Sequence, residues 1–168
     1  MLFRSKPAHN GHATPWHQDG QYWPIRPLAT CTVWLAIDDA TIENGCLKFI
    51  KGSHTDQKLK LHNLNENKNL TLNQELNKKE YDESKAVNLI LKRGQISLHD
   101  VYLIHGSEAN NSPKSRRAIT MRFMPTTSFF DHQMVKEKKM FSKLNASKYS
   151  DRKIYHMRGI DVSGKNNL

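Results

Sequence analysis

The chain has 168 residues, and its 26 Lys and Arg against 16 Asp and Glu give a formal net charge of +10 at pH 7. This length suits one domain with a hydrophobic core, and we expect a single domain over residues 1–168. No apolar run approaches the roughly 20 residues that a transmembrane helix needs, so we expect no membrane partner. The lysines are scattered through Asn-rich segments without interleaved aromatic residues, which argues against nucleic acid as a partner.

The two cysteines bear on the redox compartment. Cys31 and Cys46 occur in a chain without an apolar leader, which indicates reduced thiols rather than a disulfide framework. We therefore expect a cytoplasmic protein. The sequence does not indicate an oligomeric state.

The first half of the chain alternates strand and turn signals. Residues 1–16 lack a periodic apolar pattern and predict a loop. Residues 30–37 are rich in β-branched and aromatic side chains and predict a strand. After a turn, residues 46–50 predict a second strand, so that the two form a hairpin. Residues 55–85 are almost all polar, which predicts an exposed insertion outside the core.

The second half continues the pattern of short strands. Residues 87–91, 95–104 and 116–123 predict three more strands, and the polar tail from Thr127 predicts partial helix. Many short strands with little helix and no repeat are typical of an antiparallel sandwich or barrel. Within that class we expect a jelly roll, which is an all-β core with minor helices.

A His-x-Asp triplet is the first chemical signal. On an extended strand His17 and Asp19 project from the same face and can bind one metal ion, although such a triplet often arises by chance. A facial triad needs a second histidine, for which His99 and His105 are the candidates. These two lie six residues apart, or roughly 20 Å on an unbroken strand, so they cannot bind the same ion.

The residues that follow His105 favour it as the ligand. Gly106-Ser107 comes next, and after a turn the chain returns with Arg116-Arg117. A guanidinium forms a two-pronged pair with a carboxylate that Lys cannot match. A ligand with a keto acid at one end and a carboxylate at the other would span metal and arginine. Strand alternation puts Arg116 and Arg117 on opposite faces, so only one of them points inward, and it puts Arg122 on the same face as Arg116.

Several segments, in this order, resemble the phytanoyl-CoA dioxygenase family over residues 16–123. The matching segments are Trp16–Trp23, Trp34–Thr41, Glu43–Leu47, Gly52–His54, and His105–Ser107 leading to Arg116-Arg117. The closing Arg158–Asp161 also resembles the tails of bacterial members. The resemblance implies a cupin-like double-stranded β-helix that uses Fe(II), 2-oxoglutarate and O2.

The resemblance also implies residue roles. His17, Asp19 and His105 would hold iron, and Arg116 would clamp the distal carboxylate of 2-oxoglutarate. Ser107 and Trp34 resemble residues of the cosubstrate pocket. Tyr22 and Trp23 are candidates for the substrate pocket, although they are equally expected as packing residues. His99 and Asp100 are candidates for supporting contacts to the metal ligands.

The implied reaction is hydroxylation of an unactivated C–H bond of a small organic substrate, with release of succinate and CO2. Halogenases of the family resemble this site with a small residue at the position of Asp19, so hydroxylation is favoured. Members usually carry a substantial segment before the His-x-Asp strand, and we therefore expect a fragment or a truncated product with an exposed sheet edge. This leaves two alternatives: an inactive metal-binding or interaction domain, and a jelly-roll binding module without metal.

Overall fold

The computed structural model describes residues 2–137 and 152–168. Of these residues, 2–21 and 31–123 form a first compact unit, and 22–30, 124–137 and 152–168 form a second. The strands and the α-helix, in chain order, are β1 Leu2–Lys6, β2 Thr14–His17, β3 Ile25–Arg26, β4 Cys31–Ala36, β5 Leu47–Ile50, β6 His62–Leu64, β7 Gln74–Leu76, β8 Ala86–Leu89, β9 Ile96–Asp100, β10 His105–Ser107, β11 Arg116–Phe123, β12 Phe129–Phe130 and α1 His132–Glu137.

The first unit is built on two four-stranded antiparallel sheets. One has the order β1-β11-β4-β9 and the other β2-β10-β5-β8. The chain crosses from one sheet to the other between β1 and β2, between β4 and β5, and at each step from β8 to β11. This alternation confirms the predicted jelly roll. Buried Trp34, Ala36 and Ala118 of the first sheet pack with Cys46 beside the second, so the inner faces share a core.

Three expectations for these strands were wrong. Residues 1–16 contain β1 and most of β2 rather than a loop, because their backbone groups pair with β11 and β10 despite a weak apolar pattern. The strands β4 and β5 do not form a hairpin, since β4 pairs with β11 and β9 whereas β5 pairs with β10 and β8. The predicted strand over 95–104 is broken into β9 and β10 by a turn.

The polar insertion over 55–85 is part of the first unit. Its strands β6 and β7 form an antiparallel hairpin, and most of its residues are exposed or half-buried, as predicted. Leu76 is the exception, because it is 1% exposed and packs with Trp16, Ile50 and Ile104. The expectation that the insertion lies entirely outside the core was therefore wrong at this residue.

The inner face of the first sheet carries both apolar and polar side chains, and the outer face is partly apolar. Along β4 the inner residues Thr32, Trp34 and Ala36 are buried, while the alternate residues are half-buried or exposed. The strand β1 is at an edge of this sheet, and its Phe3 is 62% exposed.

The second unit contains the short pair of β3 and β12 together with α1. Asn166 ties its last segment to β12, because the Asn166 side chain accepts from the Phe130 amide and donates to the Ser128 carbonyl. The helix α1 agrees with the partial helix predicted for the tail, and the rest of that prediction falls partly on residues 138–151, outside the described residues. Among the described residues, no helix is long and apolar enough to cross a membrane.

Candidate metal centre

Three buried side chains converge where β2 and β10 lie side by side. His17 ends β2 and is the register partner of His105 in β10, while Asp19 begins the 3-10 turn that follows β2. One donor atom from each of the three lies within 4.8 Å of the others. The two imidazole rings have centroids 4.2 Å apart. The predicted ligand residues are therefore brought together in one cluster.

Backbone contacts orient both imidazoles. The Nδ1 of His17 lies 2.8 Å from the Pro15 carbonyl oxygen, and the Nδ1 of His105 lies 2.9 Å from the Leu103 carbonyl oxygen. When each Nδ1–H donates to its carbonyl, Nε2 keeps the lone pair that a metal ion needs. Burial lowers the pKa of His17 to about 4 and holds the pKa of His105 well below its usual value. Both rings are thus neutral at physiological pH, which is the form that ligates.

Asp19 supplies the negative charge of the cluster. Burial alone would raise its pKa, but the Arg122 guanidinium and a hydrogen bond with His99 hold the pKa of this carboxyl well below its usual range. Arg122 Nη2 donates to Asp19 Oδ2, and Thr32 Oγ1 lies 3.4 Å from the same oxygen. Arg122 was not predicted as a site residue, although strand alternation already placed it on the same face as Arg116.

The predicted separation of about 20 Å between His99 and His105 on an unbroken strand was wrong. Their ring centroids lie 4.9 Å apart, because β9 ends at Asp100 and the chain turns before β10. The Asp100 side chain accepts from the Tyr102 amide at 2.8 Å and stabilises this turn. His99 Nε2 lies 3.8 Å from Asp19 Oδ2, so His99 contacts the carboxylate of the cluster. Its role in supporting the metal ligands stays a prediction.

Arg116, a second buried polar side chain, lies at the start of β11 and is 4% exposed. Its guanidinium is 5.4 Å from the centroid of the Trp34 ring, and its Nη2 donates to the Gly45 carbonyl at 3.2 Å. Among the described residues, Arg116 Nε and Ser107 Oγ are two of five buried side-chain polar atoms without a hydrogen-bond partner. Buried polar atoms are normally paired, so each of these two has hydrogen-bonding capacity left for a ligand.

The charges around Arg116 favour an anion. Lys6 is its register partner on β1 and is also buried, with Nζ donating to the carbonyl oxygens of His12 and Glu108 at 2.5 Å each. Burial and the neighbouring Arg116 lower the pKa of Lys6 to about 7, and burial lowers the pKa of Arg116 to about 10. Arg117 instead is exposed and pairs with Asp38, so strand parity places the two arginines as predicted.

A cavity of about 280 Å³ opens beside the cluster. Its wall includes His105 and His99 together with apolar side chains of β5, β8 and β9 and two basic side chains of the turn after β5. The remaining lining residues are Leu47, Phe49, Lys51, Gly52, His54, Leu89, Ser97, Leu98, Asp100 and Leu103.

Tyr22 and Trp23 belong to the second unit, where both are buried. The Arg152 guanidinium of the same unit lies 4.6 Å from the Trp23 ring centroid. Their assignment to the substrate pocket stays a prediction.

Comparisons of the sequence with known proteins identify one family. The family description "Phytanoyl-CoA dioxygenase (PhyH)" matches residues 2–118. A phytanoyl-CoA dioxygenase domain-containing protein 1 homolog of Dictyostelium discoideum is 38% identical over 110 residues, which cover 64% of this chain and 39% of that protein. The chain thus spans less than half the length of this relative.

Solved structures of non-haem oxygenases are similar as well. The apo non-heme monooxygenase ThoJ has a TM-score of 0.64 and 26% identity, over 75% of this chain and 45% of that one. EvdO2 of Micromonospora carbonacea var. aurantiaca, in complex with 2-oxoglutarate, has a TM-score of 0.61 and 29% identity, over 73% of this chain and 51% of that one. Because the family match covers both sheets up to the first residues of β11, the chain belongs to the phytanoyl-CoA dioxygenase family.

Proposed function

We propose that this chain carries the metal and cosubstrate centre of an Fe(II)- and 2-oxoglutarate-dependent oxygenase. The reaction is hydroxylation of an unactivated C–H bond of a small organic substrate, with O2 consumed and succinate and CO2 released. The observation that carries the proposal is the buried cluster of His17, Asp19 and His105, whose donor atoms lie within 4.8 Å of one another.

The residues present fit the implied metal ion and cosubstrate. Two neutral imidazoles and one carboxylate are the ligand set of non-haem Fe(II) oxygenases, in which the remaining metal positions stay open. The unpaired Arg116 Nε and Ser107 Oγ suit the carboxylate of a keto acid. Bound Fe(II) supplies O2 activation coupled to oxidative decarboxylation of 2-oxoglutarate.

The side chains of this chain do the binding and orienting. His17 and His105 would each offer Nε2, because their Nδ1 atoms are held by backbone carbonyls. Asp19 would add a carboxylate oxygen. Arg116 would bind the distal carboxylate of 2-oxoglutarate with Ser107 beside it, and a guanidinium in so buried a place forms stronger ion pairs than an exposed one.

The cavity beside His105 is the place that we propose for the substrate. The half-buried Leu47, Phe49 and Leu89 give it apolar lining that would shield a C–H bond from water, and its volume of about 280 Å³ suits a small molecule. Tyr22 and Trp23 remain further candidates for substrate contacts. We also propose a cytoplasmic location, which the two free thiols support.

The test is O2-dependent formation of succinate from 2-oxoglutarate by the purified chain with Fe(II). We expect Asp19→Ala to abolish succinate formation and the matched variant Asp38→Ala to retain it within about twofold, because Asp38 is a surface partner of Arg117. Equal succinate formation by wild type and Asp19→Ala would refute the proposed centre. Metal binding without succinate formation would favour the inactive metal-binding domain.

A further inference from the structure

We propose that Arg122 is a positioning residue for Asp19, a role that rests on the proposed function. Arg122 holds one oxygen of this carboxylate, so that only the other is offered to the metal ion. The carboxylate then takes a single metal position and leaves the others open for cosubstrate and O2.

The contacts of Arg122 fix its guanidinium at two points. Its Nη2 donates to Asp19 Oδ2, and its Nε donates to Thr32 Oγ1 at 3.0 Å. Thr32 is the register partner of Arg122 on the neighbouring strand β4, and its hydroxyl lies 3.4 Å from the same Asp19 oxygen. A planar fork bound at both ends has little freedom to rotate, so Oδ2 is held in place.

The other carboxylate oxygen points towards the imidazoles. Asp19 Oδ1 lies 3.9 Å from His17 Nε2, whereas Oδ2 faces Arg122 and His99. The two oxygens are therefore divided between a protein cation and the ligand cluster. The side chains of Asp19 and Arg122 are 11% and 12% exposed, so solvent competes little for this pair.

Removal of Arg122 has two opposing effects on metal affinity. A guanidinium near a divalent cation repels it, so its loss alone would tighten metal binding. Loss of an oriented carboxylate weakens metal binding, typically by about 10- to 100-fold for residues that support metal ligands. The direction of the change in metal affinity therefore distinguishes the two roles. Weaker binding indicates that Arg122 positions Asp19, and tighter binding indicates that Arg122 acts only as a nearby positive charge.

The experiment is titration of the purified full chain with Co(II), whose visible spectrum depends on coordination number. We compare wild type with Arg122→Met, Arg122→Lys and the control Arg117→Met, which removes an exposed arginine from the same strand. We expect Arg122→Met to raise the Kd for Co(II) at least about tenfold and to change the spectrum, with Arg117→Met within about twofold of wild type.

Arg122→Lys keeps the charge but cannot reach both Thr32 and Asp19 as a fork. We expect it to retain the fold by circular dichroism and still to bind Co(II) more weakly, which covers the case in which Arg122→Met does not fold. Wild-type affinity and spectrum in Arg122→Lys, or equal or tighter binding in Arg122→Met, would overturn the positioning role alone. A wild-type chain that binds no Co(II) would overturn the metal centre together with it.

Discussion

Leu76 ties the polar insertion to the core of the first unit, so its truncation is a direct test of that packing. Leu76 is 1% exposed and contacts a cluster of Trp16, Ile50 and Ile104. Leu76→Ala removes three carbon atoms, which costs roughly 2.4 kcal/mol at about 0.8 kcal/mol for each buried methylene. A residual cavity adds to this cost. Trp16 and Ile50 are each 8% exposed and so are not fully enclosed, which lets them move to fill part of the cavity. We expect a loss of about 3 kcal/mol in the free energy of unfolding.

The assay is urea denaturation followed by tryptophan fluorescence, with Leu64→Ala as the control. Leu64 lies in the same hairpin but is 55% exposed, so its truncation is expected to cost less than about 0.5 kcal/mol. The expected change for Leu76→Ala corresponds to a fall in Tm of roughly 6 to 12 °C for a chain of this size. If the two variants lose equal stability, the hairpin does not pack on this core and the reasoning is wrong.

Three further predictions concern the surroundings of Arg116. Arg116→Lys is expected to raise the Kd for 2-oxoglutarate about tenfold in a binding titration, while Arg117→Lys leaves it unchanged, because Lys lacks the two-pronged fork. Lys6 has its pKa lowered from 10.5 to about 7, so the folded chain binds fewer protons and wild-type stability should rise from pH 7 towards 10.5; urea titrations of Lys6→Met should lack this rise. Gly45→Ala is expected to lower stability by more than about 1 kcal/mol in the same assay, because Gly45 has φ +74° and a Cβ would lie 2.5 Å from the Glu108 carbonyl.

Local patterns in the sequence were sufficient to predict the fold class and to place Arg116 and Arg117 on opposite faces of their strand. The alternation in residues 116–123 predicted opposite faces for Arg116 and Arg117, and the structure has the first buried and the second exposed. The same alternation put Arg122 on the inner face, but its partner Asp19 is 103 residues away in the chain. They meet because the turn after β2 packs against β4 and β11 of the other sheet, and alternation within one strand does not specify such packing.

Other features depended on contacts that no local pattern reveals. The apolar row Val101, Leu103 and Ile104 resembled a continued strand, whereas the Asp100 side chain stabilises a turn and so brings His99 to the centre. Leu76 stands among polar residues, and its burial depends on Trp16 and Ile104 from other parts of the chain. The roles of the metal and cosubstrate residues, and the single-domain organisation, stay predictions.

The central claim is that His17, Asp19 and His105 hold Fe(II) while Arg116 holds 2-oxoglutarate. The most direct measurement is anaerobic titration of the apo chain with Fe(II) and then 2-oxoglutarate, followed by the weak visible charge-transfer band of a keto acid chelated to iron. We expect the band in wild type and Arg117→Ala, its loss in Asp19→Ala, and a higher 2-oxoglutarate requirement in Arg116→Ala. Absence of the band in wild type, or an equal band in Asp19→Ala, would contradict the account.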